Sequence, residues 1–247
     1  MKLLPRVRDF AFRCMYGRRG FPVRIAGDEY RLDPQLRRWN VDAERDVREV
    51  FDRVIRNGDT VADIGANFGL HTMYLASLTG AAGRVFAFEP VPSNVGLLRT
   101  HLRYNGFTDC VTVVQSAVSN SPAQSLDLRL SEDAFAVEAS LVGGSELRRI
   151  TVPNVRLDDF EFGTVPTLLK IDVEGAELEV IRGGEALLRR SHPVLVMEVH
   201  GPALAAFGSS VPELQETLRS FGYLAERRVP GSQFTGEDYF QAIFTAE

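Results

Sequence analysis

The sequence predicts an α/β protein built on a doubly wound sheet, and three observations lead there. From Thr60 onward short apolar stretches alternate with helical ones, a rhythm that places parallel strands between covering helices. The first of these strands runs into Asp63-Ile-Gly65-Ala-Asn67-Phe-Gly69, a glycine turn that opens a helix. The next, Val85-Phe-Ala-Phe88, ends in Glu89-Pro90. That order of parts holds an adenosine group at the carboxyl edge of a parallel sheet.

Taken in chain order, residues 1–57 read as a helix and hairpin extension packed on a core domain at 58–247. The first twenty residues carry Lys2, Arg6, Arg8, Arg13, Arg18 and Arg19 against one acid, Asp9. Leu3, Val7, Phe10, Ala11 and Cys14 share one helical face. Such a helix packs on the domain or on a twin subunit in a homodimer, or touches an anionic membrane surface or polymer. Phe21 to Leu32 alternates around Gly27-Asp28 as a hairpin. Ala43 to Arg56 follows as an amphipathic helix closed by Asn57-Gly58.

In the core, strands are expected at 60 to 63, 84 to 88, 111 to 115, 167 to 172 and 193 to 199, with helices at 69 to 79, 92 to 105 and 177 to 190. A helix near 212 to 220 precedes strands near 222 to 227 and 238 to 245. Between 119 and 155 the rhythm fails. Ser121-Pro122, Gly143-Gly144 and the alternating Leu126, Leu128 and Leu130 mark a β-type excursion, either a lid that meets the acceptor or a passive insertion.

Composition narrows the function classes. A net charge of -5 and a pI near 5.5 exclude a general nucleic-acid binder. No apolar run approaches the roughly 20 residues of a membrane span. Two distant cysteines, Cys14 and Cys110, without metal-ligand spacing point to free thiols and a cytoplasmic setting, with the basic helix as the one route to the inner membrane surface.

Three constellations carry the chemistry. The Gly65-x-x-x-Gly69 turn lacks the third glycine that dinucleotide folds use around a pyrophosphate. Asp63 beside it suits a cationic ligand such as a sulfonium amino acid. Ser116-Ala117 at the end of the third strand borders an adenine. In the second, Lys170 and Asp172 share a face of an otherwise apolar strand, where an ionisable side chain is costly unless paired or used. The pair is either structural or holds a lysine whose pKa is lowered by desolvation into the range of a base. In the third, Glu198 and His200 project to one side at the end of the following strand. An acid and an imidazole there can deprotonate a hydroxyl. With Asp172 they can also ligate a divalent ion, an alternative that three such residues do not establish.

These stretches, with Val155-Arg-Leu157-Asp158-Asp159 and the run from Lys170 to Glu177 and Glu198 to Gly201, resemble the FkbM family of S-adenosylmethionine-dependent methyltransferases over roughly 58 to 201. The resemblance implies a class I, Rossmann-like sheet of seven strands with the last antiparallel. It also implies methylation of a hydroxyl oxygen on acceptors such as sugars and polyketide secondary metabolites. Under this reading S-adenosyl-L-methionine is held by Asp63, Gly65, Asn67, Gly69, Glu89, Pro90, Ser116, Ala117 and Asp172. His200 is the first choice of base, with Lys170 or Asp172 behind it and Glu198 alongside. The rival readings are a nicotinamide-dependent oxidoreductase or epimerase and a non-catalytic binding module on the same fold.

Overall fold

A computed structural model of the chain describes residues 12–42, 44–131, 139–140, 147–234 and 236–246. Residues 1–11, and with them most of the basic face, lie outside this set, as do Gly143-Gly144. Residues 12–16 are helical. Phe12 packs edge-on against Phe21 at 5.5 Å, while Cys14 is exposed rather than part of an apolar face. Among the described residues no helix is long and apolar enough to cross a membrane.

β1 (Phe21–Ile25) and β2 (Asp28–Leu32) form the expected hairpin, with its turn one residue earlier. Ile25 pairs with Asp28, so Ala26 and Gly27 make the turn, both at positive φ (51° and 98°). A two-residue turn matching the strand twist requires that backbone. α1 (Arg45–Val54) is shorter than expected, and Ile55 after it is extended. The Asn57-Gly58 pair is therefore no helix terminus. Instead the carboxylate of Asp59 accepts from the Arg56 amide at 2.7 Å and closes a separate turn.

The central sheet has seven strands in the order β12-β13-β11-β10-β3-β4-β5. β3 (Thr60–Ile64), β4 (Arg84–Phe88), β5 (Val111–Val114), β10 (Leu168–Ile171) and β11 (Val194–His200) run parallel. β13 (Tyr239–Thr245) pairs antiparallel with β11 and with β12 (Ala225–Arg228). Every residue of β3 and β10 is buried, as strands covered on both faces require. One face carries α2 (Leu70–Thr79), α3 (Pro92–Asn105) and the front section. Ile25, Leu32 and Phe51 share a core there with Val61, Met73 and Leu98. Complete burial of a side chain such as Phe51 is worth roughly 1.5–3 kcal/mol. The other face carries α4 (Glu177–Gly183), α5 (Glu185–Ser191), α6 (Gly201–Ala206) and α7 (Val211–Ser220) around Ile171, Leu188 and Leu214.

Two helical expectations change. The single helix at 177 to 190 is divided at Gly183-Gly184, and the Ser119 carbonyl occupies the place a Cβ on Gly183 would take, which accounts for a glycine there. α6 was not anticipated, and its start at Gly201-Pro202 is too short for a periodic signal.

The excursion forms a second sheet, ordered β6-β9-β7-β8, from β6 (Ala117–Val118), β7 (Ser125–Ser131), β8 (Ala139–Ser140) and β9 (Leu147–Val155). β7 and β9 pair antiparallel, with Leu126 opposite Val152 and Leu128 opposite Ile150.

Candidate active site

The turn after β3 is built around Glu89. The amides of Gly65 and Ala66 both donate to the Phe88 carbonyl, at 3.0 and 2.9 Å, which holds the turn against the end of β4. Gly65, Asn67 and Gly69 all have positive φ (82°, 51° and 91°). The Asn67 amide then donates to Glu89 Oε2 at 2.8 Å. Glu89 Oε1 accepts from the Val91 amide at 2.9 Å and from Asn94 Nδ2 at 3.3 Å. One carboxylate thus ties the β3 turn to the start of α3. Burial pushes the pKa of Glu89 up to about 7, against the three N–H donors that pull it down. A carboxylate offers roughly four acceptor positions, so these three donors leave room for a ligand hydroxyl.

Beside this turn lies a cleft of about 730 Å³, partly open to solvent. Gly65, Asn67, Glu89, Pro90, Ser116, Ala117 and Asp172 line it. Apolar Phe88, Val118, Leu126 and Leu128 and polar Asn94 and Glu174 line it as well. Leu126 and Leu128 come from β7, so the excursion covers the cleft.

Two residues of the expected cofactor set are elsewhere. Asp63 is fully buried, with Oδ2 accepting from the Thr72 hydroxyl at 2.6 Å and Oδ1 3.6 Å from Lys170 Nζ. It faces the core beside α2, because the residues of β3 alternate between the two sides of the sheet. Gly69 starts α2, and a Cβ there would strike Leu98 of α3. Its glycine serves helix packing rather than ligand approach. At Gly65 the obstacle to a Cβ is likewise the chain itself, the Asp172 carbonyl.

The second half of the site is ionic. Lys170 Nζ lies 3.2 Å from Asp172 Oδ2 and 3.4 Å from the Gly65 carbonyl. Burial alone would lower its pKa, but the charges of Asp172, Asp63 and Glu44 outweigh burial and raise it. The expectation of a lysine made basic by desolvation is overturned, and Lys170 is a fixed cation. His200 Nδ1 is 2.8 Å from Glu177 Oε1, and Nε2 is 3.3 Å from Glu198 Oε1 and 3.9 Å from Asp172 Oδ1. Burial opposes protonation of this ring as well. Hydrogen bonds to Glu177 and Glu198 prevail and push its pKa up to about 11. A histidine so placed is held as imidazolium near neutral pH, which removes the argument that it titrates close to working conditions. Glu198 is fixed in turn by the Tyr239 hydroxyl at 2.7 Å and Gln241 Nε2 at 2.8 Å, both from β13.

Sequence reasoning missed Asn94, Glu177, Tyr239 and Gln241. Asn94 is the third residue of a helix with Pro92 at its first position, where a side chain reaching back is a known capping pattern. Glu177 likewise turns back to accept from the Gly175 amide at 2.9 Å. Tyr239 and Gln241 have no local signal, since only the antiparallel register brings Gln241 opposite Glu198.

A family model described as the methyltransferase FkbM domain matches residues 63–225. Hexuronic acid methyltransferase AglP of Haloferax volcanii is 29% identical over 160 residues, covering 64% of this chain and 62% of that protein. The chain thus spans about three fifths of the length of this relative. Among solved structures, methyltransferase FkbM from Methylobacillus flagellatus superposes with a TM-score of 0.50 at 18% identity, covering 80% of this chain and 50% of that one. TYW2 of M. jannaschii, solved in complex with AdoMet, gives 0.52 at 13% identity over 92% and 84% of the two chains. These likenesses establish the fold as that of class I methyltransferases, with the seven-stranded sheet and its antiparallel last strand.

Proposed function

Because this chain belongs to the FkbM methyltransferase family, we propose that it transfers a methyl group from S-adenosylmethionine to a hydroxyl oxygen of a saccharide or secondary-metabolite acceptor. The observation that supports this reading is the cleft that Glu89 lines together with both apolar and polar side chains. An adenosine group needs the same combination, apolar surface for its base and an acceptor for its ribose. Glu89 keeps acceptor capacity for a ribose hydroxyl, Asn94 and Ser116 add polar groups, and Phe88, Val118, Leu126 and Leu128 suit the base. The saccharide acceptor is supported by the name of the hexuronic acid methyltransferase relative.

Bound S-adenosylmethionine supplies a methyl group already activated on a sulfonium. The protein's task is then to hold the acceptor oxygen in line and receive its proton, and orientation alone can lower such a barrier by several kcal/mol. Asp172 belongs both to the cleft and to the ionic group formed with Lys170 and His200. We assign the acceptor hydroxyl to this junction, with the proton leaving toward the Asp172, Glu198 and His200 edge. Lys170 positions Asp172 and remains charged throughout.

Calorimetry tests the cofactor. S-adenosylmethionine should bind and NAD should not, and Glu89→Ala should weaken binding at least ~10-fold, as the loss of one charge-assisted hydrogen bond predicts. Binding of NAD instead, or of neither ligand, would overturn the reading. Incubating a cell extract with labelled methyl donor, then identifying the labelled product by mass spectrometry, tests the acceptor class. A product without a methylated hydroxyl would remove the O-methylation assignment.

A further inference from the structure

Asp172, just past the end of β10, and Glu198, within β11, are neighbours across two adjacent parallel strands, one step beyond the paired Ile171 and Met197. His200 follows on the same side of β11. One donor atom from each of the three side chains can be chosen so that all lie within 4.8 Å of one another. The His200 Nε2 to Glu198 Oε1 and Asp172 Oδ1 separations are 3.3 and 3.9 Å. Donors bound about 2.0–2.2 Å from one ion sit about 3 to 4.4 Å apart around it. The two separations from His200 Nε2 are therefore those of neighbours in a coordination shell.

Each of the three is also fixed by a partner outside the group. Lys170 takes Asp172 Oδ2 and leaves Oδ1 facing the ring. Tyr239 and Gln241 hold the two oxygens of Glu198. Glu177, fully buried, engages His200 Nδ1, the arrangement by which a carboxylate orients a metal-binding imidazole and directs its other nitrogen at the ion. Glu177 Oε2 has no hydrogen-bond partner among the described residues, so this buried side chain is committed to the ring and its helix start alone. Nε2 can donate a single hydrogen, yet three carboxylate oxygens, from Glu198, Glu174 and Asp172, lie 3.3, 3.4 and 3.9 Å from it.

We infer that Asp172, Glu198 and His200 bind one divalent first-row transition-metal ion at the rim of the cofactor cleft, the ion displacing the Nε2 proton that the metal-free imidazolium carries and releasing it to solvent. Mixed imidazole and carboxylate donors suit ions such as Mn2+ or Zn2+ better than Ca2+. Asp172 faces the cleft, so the open side of the site points to where the acceptor hydroxyl is assigned. That functional placement rests on the methyltransferase reading, whereas the binding of the ion does not.

The full chain, stripped with EDTA and dialysed, can be titrated with MnCl2 and free Mn2+ followed by electron paramagnetic resonance. One ion per chain is expected. Glu198→Gln and His200→Gln should each weaken it at least ~10-fold, and Glu177→Gln, an outer positioning change, about 10- to 100-fold. Glu213→Gln, in a surface pair with Arg182, should bind as the wild type does. In 15N-histidine-labelled wild type, substoichiometric Mn2+ should broaden the His200 ring signals and leave those of His192 sharp, a readout independent of any variant's folding. Absence of binding by the wild type, an unaffected His200 signal, or wild-type affinity in well-folded Glu198→Gln and His200→Gln would overturn the site. S-adenosylmethionine binding measured on the same samples separates the two readings: its loss with Mn2+ binding intact would sink the cofactor assignment alone.

Discussion

Glu89, at the end of β4, meets neutral donors, whereas Asp172, at the end of β10 on the other side of β3, meets the ammonium of Lys170 and the imidazole of His200. Both carboxylates line one cleft. Backbone amides around Glu89 bind it without fixing its charge, so burial decides its titration and moves it to about 7. Around Asp172 the charges fix one another, and the group of residues acts as a unit. The difference suggests a division of labour. The neutral half suits recognition of uncharged hydroxyls, and the ionic half suits handling a proton or a cation.

The largest effect that would test this contrast comes from Lys170→Met. It leaves Asp63 and Asp172 buried without their shared cation, and denaturant unfolding should show a loss of about 3–5 kcal/mol. A loss under about 1 kcal/mol would mean that the ionic half is no more interdependent than the neutral half. The next is a pH effect confined to Glu89. Its folded pKa of about 7 exceeds the ordinary 4.5, so the native state binds more protons than the unfolded chain between those values. Stability should therefore fall, by up to about 3 kcal/mol, as pH rises from about 4.5 to about 7. Glu89→Gln should lack that component of the slope in melting experiments; an identical slope in the variant would assign it to another group.

A smaller but more selective effect is expected of His200→Gln. Turnover should drop about 100-fold or more, in the range of lost acid–base or positioning roles, with S-adenosylmethionine affinity unchanged. Equal losses in both quantities would show that the two halves are not separable. The smallest is Tyr239→Phe, which removes one hydroxyl from Glu198 and should cost about 1 kcal/mol of stability with a measurable fall in turnover.

Much of the scaffold was legible in the sequence because buried parallel strands are written as apolar runs. β3, β4, β10 and β11 were located to within a residue or two, and the glycine turn and Glu89 followed from them. The polar interruptions Lys170, Asp172, Glu198 and His200 stood out against those runs, and the structure brings all four together. Their ionisation was not legible. It depends on Glu177, which approaches from a helix start, and on Tyr239 and Gln241, which arrive on the antiparallel strand. Asp63 misled for a related reason: it lies opposite Lys170 across the sheet, and that pairing is visible only once β3 and β10 are aligned. The break in the helix at Gly183 had a local cue in its glycine pair, whereas the contact that requires glycine at 183 comes from a carbonyl more than sixty positions earlier.

The reversed direction of β13 has a consequence for how the protein is made. A parallel strand would deliver its final residues to the carboxyl edge, whereas β13 delivers its first ones, Tyr239 and Gln241. The rest of the parallel sheet has left the ribosome well before them, and chains fold as they are synthesised. Until residues 239–245 emerge, Glu198 sits on an open sheet edge beside His200 without its two neutral donors. The Glu89 half of the site can thus assemble before β13 exists, and the Asp172 half is completed only once residues 239–245 have emerged.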